Sequence, residues 1–203
     1  MRNINFPKFT EGSGLVDGFD ESESWIQTYS GRRINPLKPN PDCIVIQDVA
    51  HALSMQCRFS GHIRDFYSVA QHSVGVSYIC QKEDALYGLL HDASEAYLVD
   101  IPSPLKKSGQ FNFYLDFEAR MMRSIYDRFN LVGSEPDSVK KADKLMLNIE
   151  ANSLLNVRSD WQLESMIPPF KVQGLTPNEA KKLFLRRFAE LTGQDLDIYK
   201  EYY

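Results

Sequence analysis

Four positions in this chain carry residue types that bind metals and sit in small or apolar surroundings: His72, the adjacent pair His91-Asp92, and Asp143. The pair ends an apolar run, Leu89-Leu90, and ionisable neighbours there are costly to bury unless they are paired or bind a metal. Imidazole together with carboxylate suits borderline or hard divalent ions: Mn²⁺, Co²⁺, Zn²⁺, Fe²⁺ or Mg²⁺. Two His and two Asp leave coordination positions open for water and a phosphate oxygen, as a catalytic site requires. Helical neighbours point about 100° apart, so His91 and Asp92 both reach one ion only if it lies between their directions. Glu95 lies one turn beyond both on the same face, placed to act as a base on water at the ion. Asp100 and then Lys106 follow in a loop punctuated by Pro102 and Pro104.

Helices must position these groups. Asp48 is a candidate cap for a helix through Val49, Leu53 and Met55. Ser68-Val-Ala-Gln71 fits a capping box that opens a helix carrying His72, Val76 and Ile79. A third helix is expected from Asp84 to about Leu98, carrying His91, Asp92 and Glu95. Phe111 to Phe129 has Phe113, Phe117, Met121 and Ile125 at helical spacing, a stripe that is either core or subunit interface. A helix from near Pro136 to about Val157 has Val139, Leu145, Ile149 and Leu154 as its apolar stripe and carries Lys140 and Asp143. Thr176-Pro-Asn-Glu179, a second capping box with proline at the first helical position, opens the last helix through Phe184, Phe188 and Leu191.

Residues 1–47 have a different texture, with Gly12, Gly14, Gly18, an acidic patch over 17–23, and Pro36, Pro39 and Pro41. Within them Trp25–Tyr29 and Cys43–Ile46 read as two short strands. The expected fold is therefore all-α: a helical body over 48–203 with a small β-hairpin or loop extension over 1–47. A disordered tail is the competing reading for residues 1–22.

The 203 residues suffice for a real hydrophobic core, and a composition of 43% hydrophobic and 25% charged residues is that of a soluble globular protein. A formal charge of −4 argues against a general nucleic-acid binder, though not against a local basic pocket for a phosphorylated small molecule. Cys43, Cys57 and Cys80 form no C-x-x-C pair and are expected to be reduced packing residues in a cytoplasmic compartment. No apolar run approaches the ~20 residues of a membrane span, and the N-terminus lacks the apolar core of a signal peptide.

Taken together, His72, His91-Asp92 and Asp143 match the H…HD…D signature of the HD-domain metal-dependent phosphohydrolases. His91-Asp-Ala-Ser-Glu95, followed by Asp100-Ile-Pro-Ser-Pro-Leu-Lys106, resembles the motif of bacterial 5′-deoxynucleotidases, and phage dATP triphosphohydrolases share this layout. Val139-Lys-Lys-Ala-Asp143 is similar to the family's last-ligand helix. Arg58-Phe59 resembles an Arg-Trp pair that shapes the family's nucleotide pocket, and phenylalanine here departs from the family's tryptophan. The resemblance covers roughly residues 48–160.

It implies an HD-domain helical bundle and a deoxynucleotide phosphohydrolase using a divalent cation held by His72, His91, Asp92 and Asp143. Glu95 would position or deprotonate the attacking water. Asp100 would protonate the leaving oxygen or hold the sugar hydroxyl. Arg58, Lys106 and Lys140 are candidates for a cationic clamp on phosphate, with Phe59 at the sugar or base, and a homo-oligomer is expected. His62 and Arg64, in the turn before Tyr67, are further phosphate candidates. His51 is expected to be structural, and Arg32-Arg33 and Arg186-Arg187 to be solvated faces.

The expected reaction is release of triphosphate, or of phosphates in turn, from a dNTP, with dATP first. Removal of phosphate from a deoxynucleoside monophosphate is the alternative. Another phosphoesterase activity, on cyclic nucleotides or alarmones, is a second class. A non-catalytic nucleotide-binding protein is a third.

Overall fold

A computed structural model describes residues 24–156 and 170–198 of the chain. The expected disordered tail over 1–22 and its acidic patch lie outside the described residues. The fold is mostly helical with one two-stranded antiparallel ribbon, β1 (Ile26–Gln27) and β2 (Arg33–Ile34), in which Ile26 pairs with Ile34. The helices are α1 (Ile46–Met55), α2 (Val69–Ile79), α3 (Ala85–Leu90), α4 (Glu95–Leu98), α5 (Ser103–Lys106), α6 (Asn112–Arg128), α7 (Asp137–Leu154) and α8 (Pro177–Thr192). Among the described residues no helix is long and apolar enough to cross a membrane.

Helix α2 is the axis of the bundle. Every residue from Val69 to Ser77 is buried, the pattern of a helix packed on all sides. Its start is fixed by the expected capping box, with the Ser68 hydroxyl accepting from the Gln71 N–H and the Gln71 side chain from the Ser68 N–H. On one side α2 meets α1, α3 and α8, where Leu53, Val74, Leu89, Phe184 and Phe188 pack with Met121 and Ile125 of α6. On the other it meets α7, through Val76, Val139, Ala142 and Met146. The second capping box is also present, with Thr176 and Glu179 reciprocally bonded and Pro177 opening α8.

Three expectations are corrected. Cys43–Ile46 is not a strand: Pro41–Cys43 forms a 3-10 turn capped by Asn40, and Ile46 already opens α1. Proline suits the first position of such a turn because its fixed φ is helical and its missing N–H would have no partner there. Arg33–Ile34 is the partner strand instead.

Asp48 does not cap α1. It lies in the helix's first turn, buried, and its carboxylate accepts from the Ser30 N–H at 2.7 Å and the Ser30 hydroxyl at 2.8 Å. The ribbon's turn is thereby tied to the bundle, and Ile34 and Ile44 enter the same core as α1 and α8.

The single helix expected from Asp84 to Leu98 is broken. Residues 91–94 form a turn between α3 and α4, with hydrogen bonds of the tighter three-residue kind from the Ala93 N–H to the Leu90 carbonyl and from the Glu95 N–H to the Asp92 carbonyl.

Candidate metal centre

Two glycines let the neighbouring helices approach α2 closely enough to assemble the site. A Cβ on Gly88 of α3 would lie 2.8 Å from Cys80 Sγ and 3.1 Å from Ser77 Cα. A Cβ on Gly75 of α2 would lie 2.8 Å from both Sδ and Cε of Met146 on α7. Close approach of α3 brings His91 to His72; close approach of α7 brings Asp143 to the same point.

Of the four residues expected as ligands, His72, His91 and Asp92 form a group whose ligand atoms all lie within 4.8 Å of one another, and Asp143 stands against its histidines. His72 Nε2 lies 3.3 Å from His91 Nε2, 3.1 Å from Asp143 Oδ1 and 3.6 Å from Asp92 Oδ2. His91 Nε2 lies 3.2 Å from Asp92 Oδ2 and 3.9 Å from Asp143 Oδ1. The tight turn at 91–94 is what lets two adjacent side chains face one point, an arrangement that a regular helix opposes.

Both imidazoles turn their Nδ1 away from the cluster. His72 Nδ1 lies 2.8 Å from Glu150 Oε1, and His91 Nδ1 lies 2.9 Å from the Gly88 carbonyl. Since a carbonyl only accepts, His91 carries its proton on Nδ1 and directs Nε2 into the cluster. Two imidazole nitrogens and two carboxylate oxygens around one small space, with both Nδ1 atoms occupied elsewhere, form a donor set that fits a divalent cation.

The local charges agree with such a site. Burial raises the Asp92 carboxyl, but His91, His72 and Arg58 outweigh it and hold the group well below the ordinary range. Burial likewise opposes ionisation of Asp143, and the hydrogen bond from His72 with the two imidazoles brings it down. Burial works against a charged His91, yet Asp92 and Asp143 push it up to about 9. Protons on these imidazoles and a cation would compete for the same carboxylates.

Glu95 opens α4 and is buried, with Oε2 lacking a hydrogen-bond partner among the described residues. Burial, then the charges of Asp92 and Asp100, push its carboxyl up to about 10, against Lys106 and Arg58. Gln56 holds the segment at both ends: its amide donates to the Glu95 carbonyl at 2.9 Å and accepts from the Asp100 N–H at 3.2 Å. Between them Val99 has φ 69° and ψ 152°, and its carbonyl accepts from the Tyr114 hydroxyl at 2.6 Å. Lys106 Nζ lies 2.7 Å from Glu118 Oε1 and 3.8 Å from Glu95 Oε1.

Arg58 is nearly enclosed, and its Nε donates to Glu150 Oε2 at 3.2 Å. Burial disfavours its charge, but Glu150, Asp92, Asp100 and Asp143 together keep the guanidinium charged. Phe59 follows in a left-handed conformation, φ 53°, with Arg58 Cζ 5.6 Å from its ring centre.

The remaining phosphate candidates are placed otherwise. Lys140 is exposed and pairs with Asp137 at 3.2 Å, one turn back on α7. The Arg64 guanidinium donates to the Ser153 carbonyl and its N–H to the Leu154 carbonyl, which closes the end of α7. The side chain of His62 is exposed, and its backbone N–H closes a turn onto the Phe59 carbonyl. His51 stacks on Tyr29 with ring centres 3.7 Å apart, in keeping with a structural role.

A cleft of about 570 Å³ opens beside His91, lined among others by Met122, Arg123, Tyr126, Leu131 and Glu135. Burial raises the Glu135 carboxyl, with His91 opposing and Asp92 and Asp143 adding to the rise, so this residue senses the cluster. The sequence reading missed Gln56, Glu118, Glu135 and Glu150. Only Glu150 left a signal: it lies two turns from Asp143 on α7, next to Ile149 in the apolar stripe.

No family model matches the chain. It is 33% identical over 137 residues to an uncharacterized protein of Rhodobacter capsulatus, covering 63% of this chain and 69% of that one. It is 40% identical over 173 residues to uncharacterized protein YfdR of Escherichia coli (strain K12), covering 83% of this chain and 96% of the relative. The chain belongs to the same protein family as YfdR.

Proposed function

We propose that this protein is a metal-dependent phosphohydrolase of the HD type acting on deoxynucleotides. The observation that supports the reading is the cluster of His72, His91 and Asp92, with the Nε2 atoms of the histidines 3.3 Å apart and Asp143 Oδ1 3.1 Å from His72 Nε2. A divalent cation there would supply Lewis acidity toward a phosphoryl oxygen and toward water.

His72 and His91 would hold the cation through Nε2, and Asp92 and Asp143 would complete the donor set and balance its charge. The charge of a cation beside it would favour ionised Glu95, which then orients the attacking water through the oxygen that has no other partner among the described residues and takes its proton. Arg58 and Lys106 offset the negative charge that builds on the equatorial oxygens as phosphorus is attacked. Asp100 serves the leaving oxygen or the sugar hydroxyl.

Two reactions fit this reading: release of triphosphate, or of phosphates in turn, from a dNTP, with dATP favoured, and removal of phosphate from a dNMP. The test is chromatographic product analysis with dATP and dAMP supplied in parallel, in Mn²⁺ or Co²⁺. Triphosphate plus nucleoside, or phosphates released in turn, from dATP identifies the first reaction; phosphate from dAMP with dATP left intact identifies the second.

A further inference from the structure

Glu150 stands outside the ligand set, yet it is the charged residue most completely enclosed against it. Its side chain has no solvent exposure, and it sits on α7 between buried Ile149 and Ala151. Enclosing a carboxylate among apolar groups is unfavourable unless its oxygens are matched, and an apolar side chain in such a place often gives the more stable protein. Both oxygens are matched: Oε1 faces His72 Nδ1 at 2.8 Å, Oε2 faces Arg58 Nε at 3.2 Å, and the buried Tyr67 hydroxyl is a further hydrogen-bond partner of the carboxylate.

We propose that Glu150 is a positioning residue for the metal centre: it fixes His72 as the tautomer that carries its proton on Nδ1 and offers Nε2 to a divalent cation, and it ties that imidazole to Arg58. This rests on the reading that the cluster holds a divalent cation. The direction of the first bond follows from chemistry, since a carboxylate accepts and the ring nitrogen facing it must donate. A ring rotated by half a turn would put a carbon against Oε1 and lose the bond.

The bond also strengthens the ligand. A carboxylate behind an imidazole raises the basicity of the distal nitrogen more than a backbone carbonyl does. His72 therefore differs from His91, whose Nδ1 faces only the Gly88 carbonyl. Arg58 occupies the second oxygen, so the same carboxylate orients a metal ligand and a cation expected at the phosphate. A glutamine cannot replace it. One amide oxygen accepts, the amide nitrogen donates, and the His72 and Arg58 groups that face Glu150 are both N–H donors, so either orientation of Glu150→Gln breaks one of those two bonds.

The experiment is calorimetric titration of Mn²⁺ and of Co²⁺ into metal-stripped wild-type protein and Glu150→Gln, both checked for helical content by circular dichroism. The expected result is an affinity about 10- to 100-fold weaker in the folded variant. Binding within about twofold of wild type would overturn the positioning role while leaving the metal site intact. A wild-type protein that takes up neither ion would overturn the metal reading itself.

Should Glu150→Gln not fold, the proton NMR spectrum of Co²⁺-loaded wild-type protein decides. The role requires an exchangeable, hyperfine-shifted signal assigned to His72 Nδ1–H. Coordination of His72 through Nδ1 overturns it.

Discussion

His72 on α2 and His91 in the turn that follows α3 are 19 residues apart, and their Nε2 atoms face each other at 3.3 Å. Two nitrogens that close, with Asp92 and Asp143 oxygens beside them, are held by backbone and side-chain partners on their far sides. The arrangement is built by the approach of α3 and α7 to α2, so perturbing that packing should perturb the site without touching a ligand.

Gly88→Ala tests this. Alanine favours a helix, but its Cβ would meet Ser77 Cα and Cys80 Sγ. Overpacking of this kind costs about 1–3 kcal/mol, against about 1 kcal/mol gained in helix propensity. The variant should lose stability in urea unfolding and bind Mn²⁺ more weakly. Adding Cys80→Ala should recover part of both losses. Unchanged Mn²⁺ affinity in a measurably strained Gly88→Ala would show that the α2–α3 spacing does not set the site.

Val99 has a backbone conformation, φ 69° and ψ 152°, that is nearly confined to glycine. Strain of this sort costs about 1–3 kcal/mol, and glycine gives back roughly 0.5–1 kcal/mol in chain entropy. Val99→Gly should therefore raise the free energy of unfolding by about 1 kcal/mol, read from denaturant midpoints. A loss of stability would contradict the strain.

Glu95 makes stability fall with pH. Its carboxyl is raised from 4.5 in the unfolded chain to about 10 when folded, by burial first and then by Asp92 and Asp100. Between those values the folded state holds the extra proton, so its advantage is complete below about 4.5 and is lost as pH rises toward 10. In chelator, Glu95→Gln should be less sensitive to pH across that window than wild type. Parallel curves of unfolding free energy against pH for the two proteins would rule the effect out.

Lys106 offers a separate handle on substrate. Burial disfavours its charge, but Glu118 and Glu95 outweigh this and hold the ammonium charged. Lys106→Met should raise KM or lower kcat for a deoxynucleotide by about tenfold or more and leave Mn²⁺ affinity unaltered. Equal kinetics in the variant would remove Lys106 from the phosphate clamp.

Much of this was legible in the sequence because it depended on local signals. Both capping boxes, the long α6 and α7 helices and the last helix follow from hydrophobic spacing and side-chain chemistry within a few residues. His72, His91, Asp92 and Asp143 stood out because such residues rarely sit in apolar settings without a partner.

What was not legible depended on tertiary contacts. The break at 91–94 carries no proline or glycine to announce it, although the turn there is what lets His91 and Asp92 face their partners from α2 and α7. Asp48 looked like a cap because nothing local shows that Ser30 will claim its carboxylate. Lys140 is a phosphate-clamp candidate by the family resemblance, and its flexible side chain turns to Asp137. Gln56, which spans Glu95 and Asp100, lies on a loop with no pattern to mark it.

The most direct test of the central claim is product analysis of wild type and Asp92→Ala incubated with dATP and dAMP in Mn²⁺ or Co²⁺. The wild-type protein should release phosphate or triphosphate from at least one substrate, chelator should abolish the reaction, and Asp92→Ala should be inactive while still folded. Metal-loaded wild-type protein that leaves both nucleotides intact, or a fully active Asp92→Ala, would contradict it.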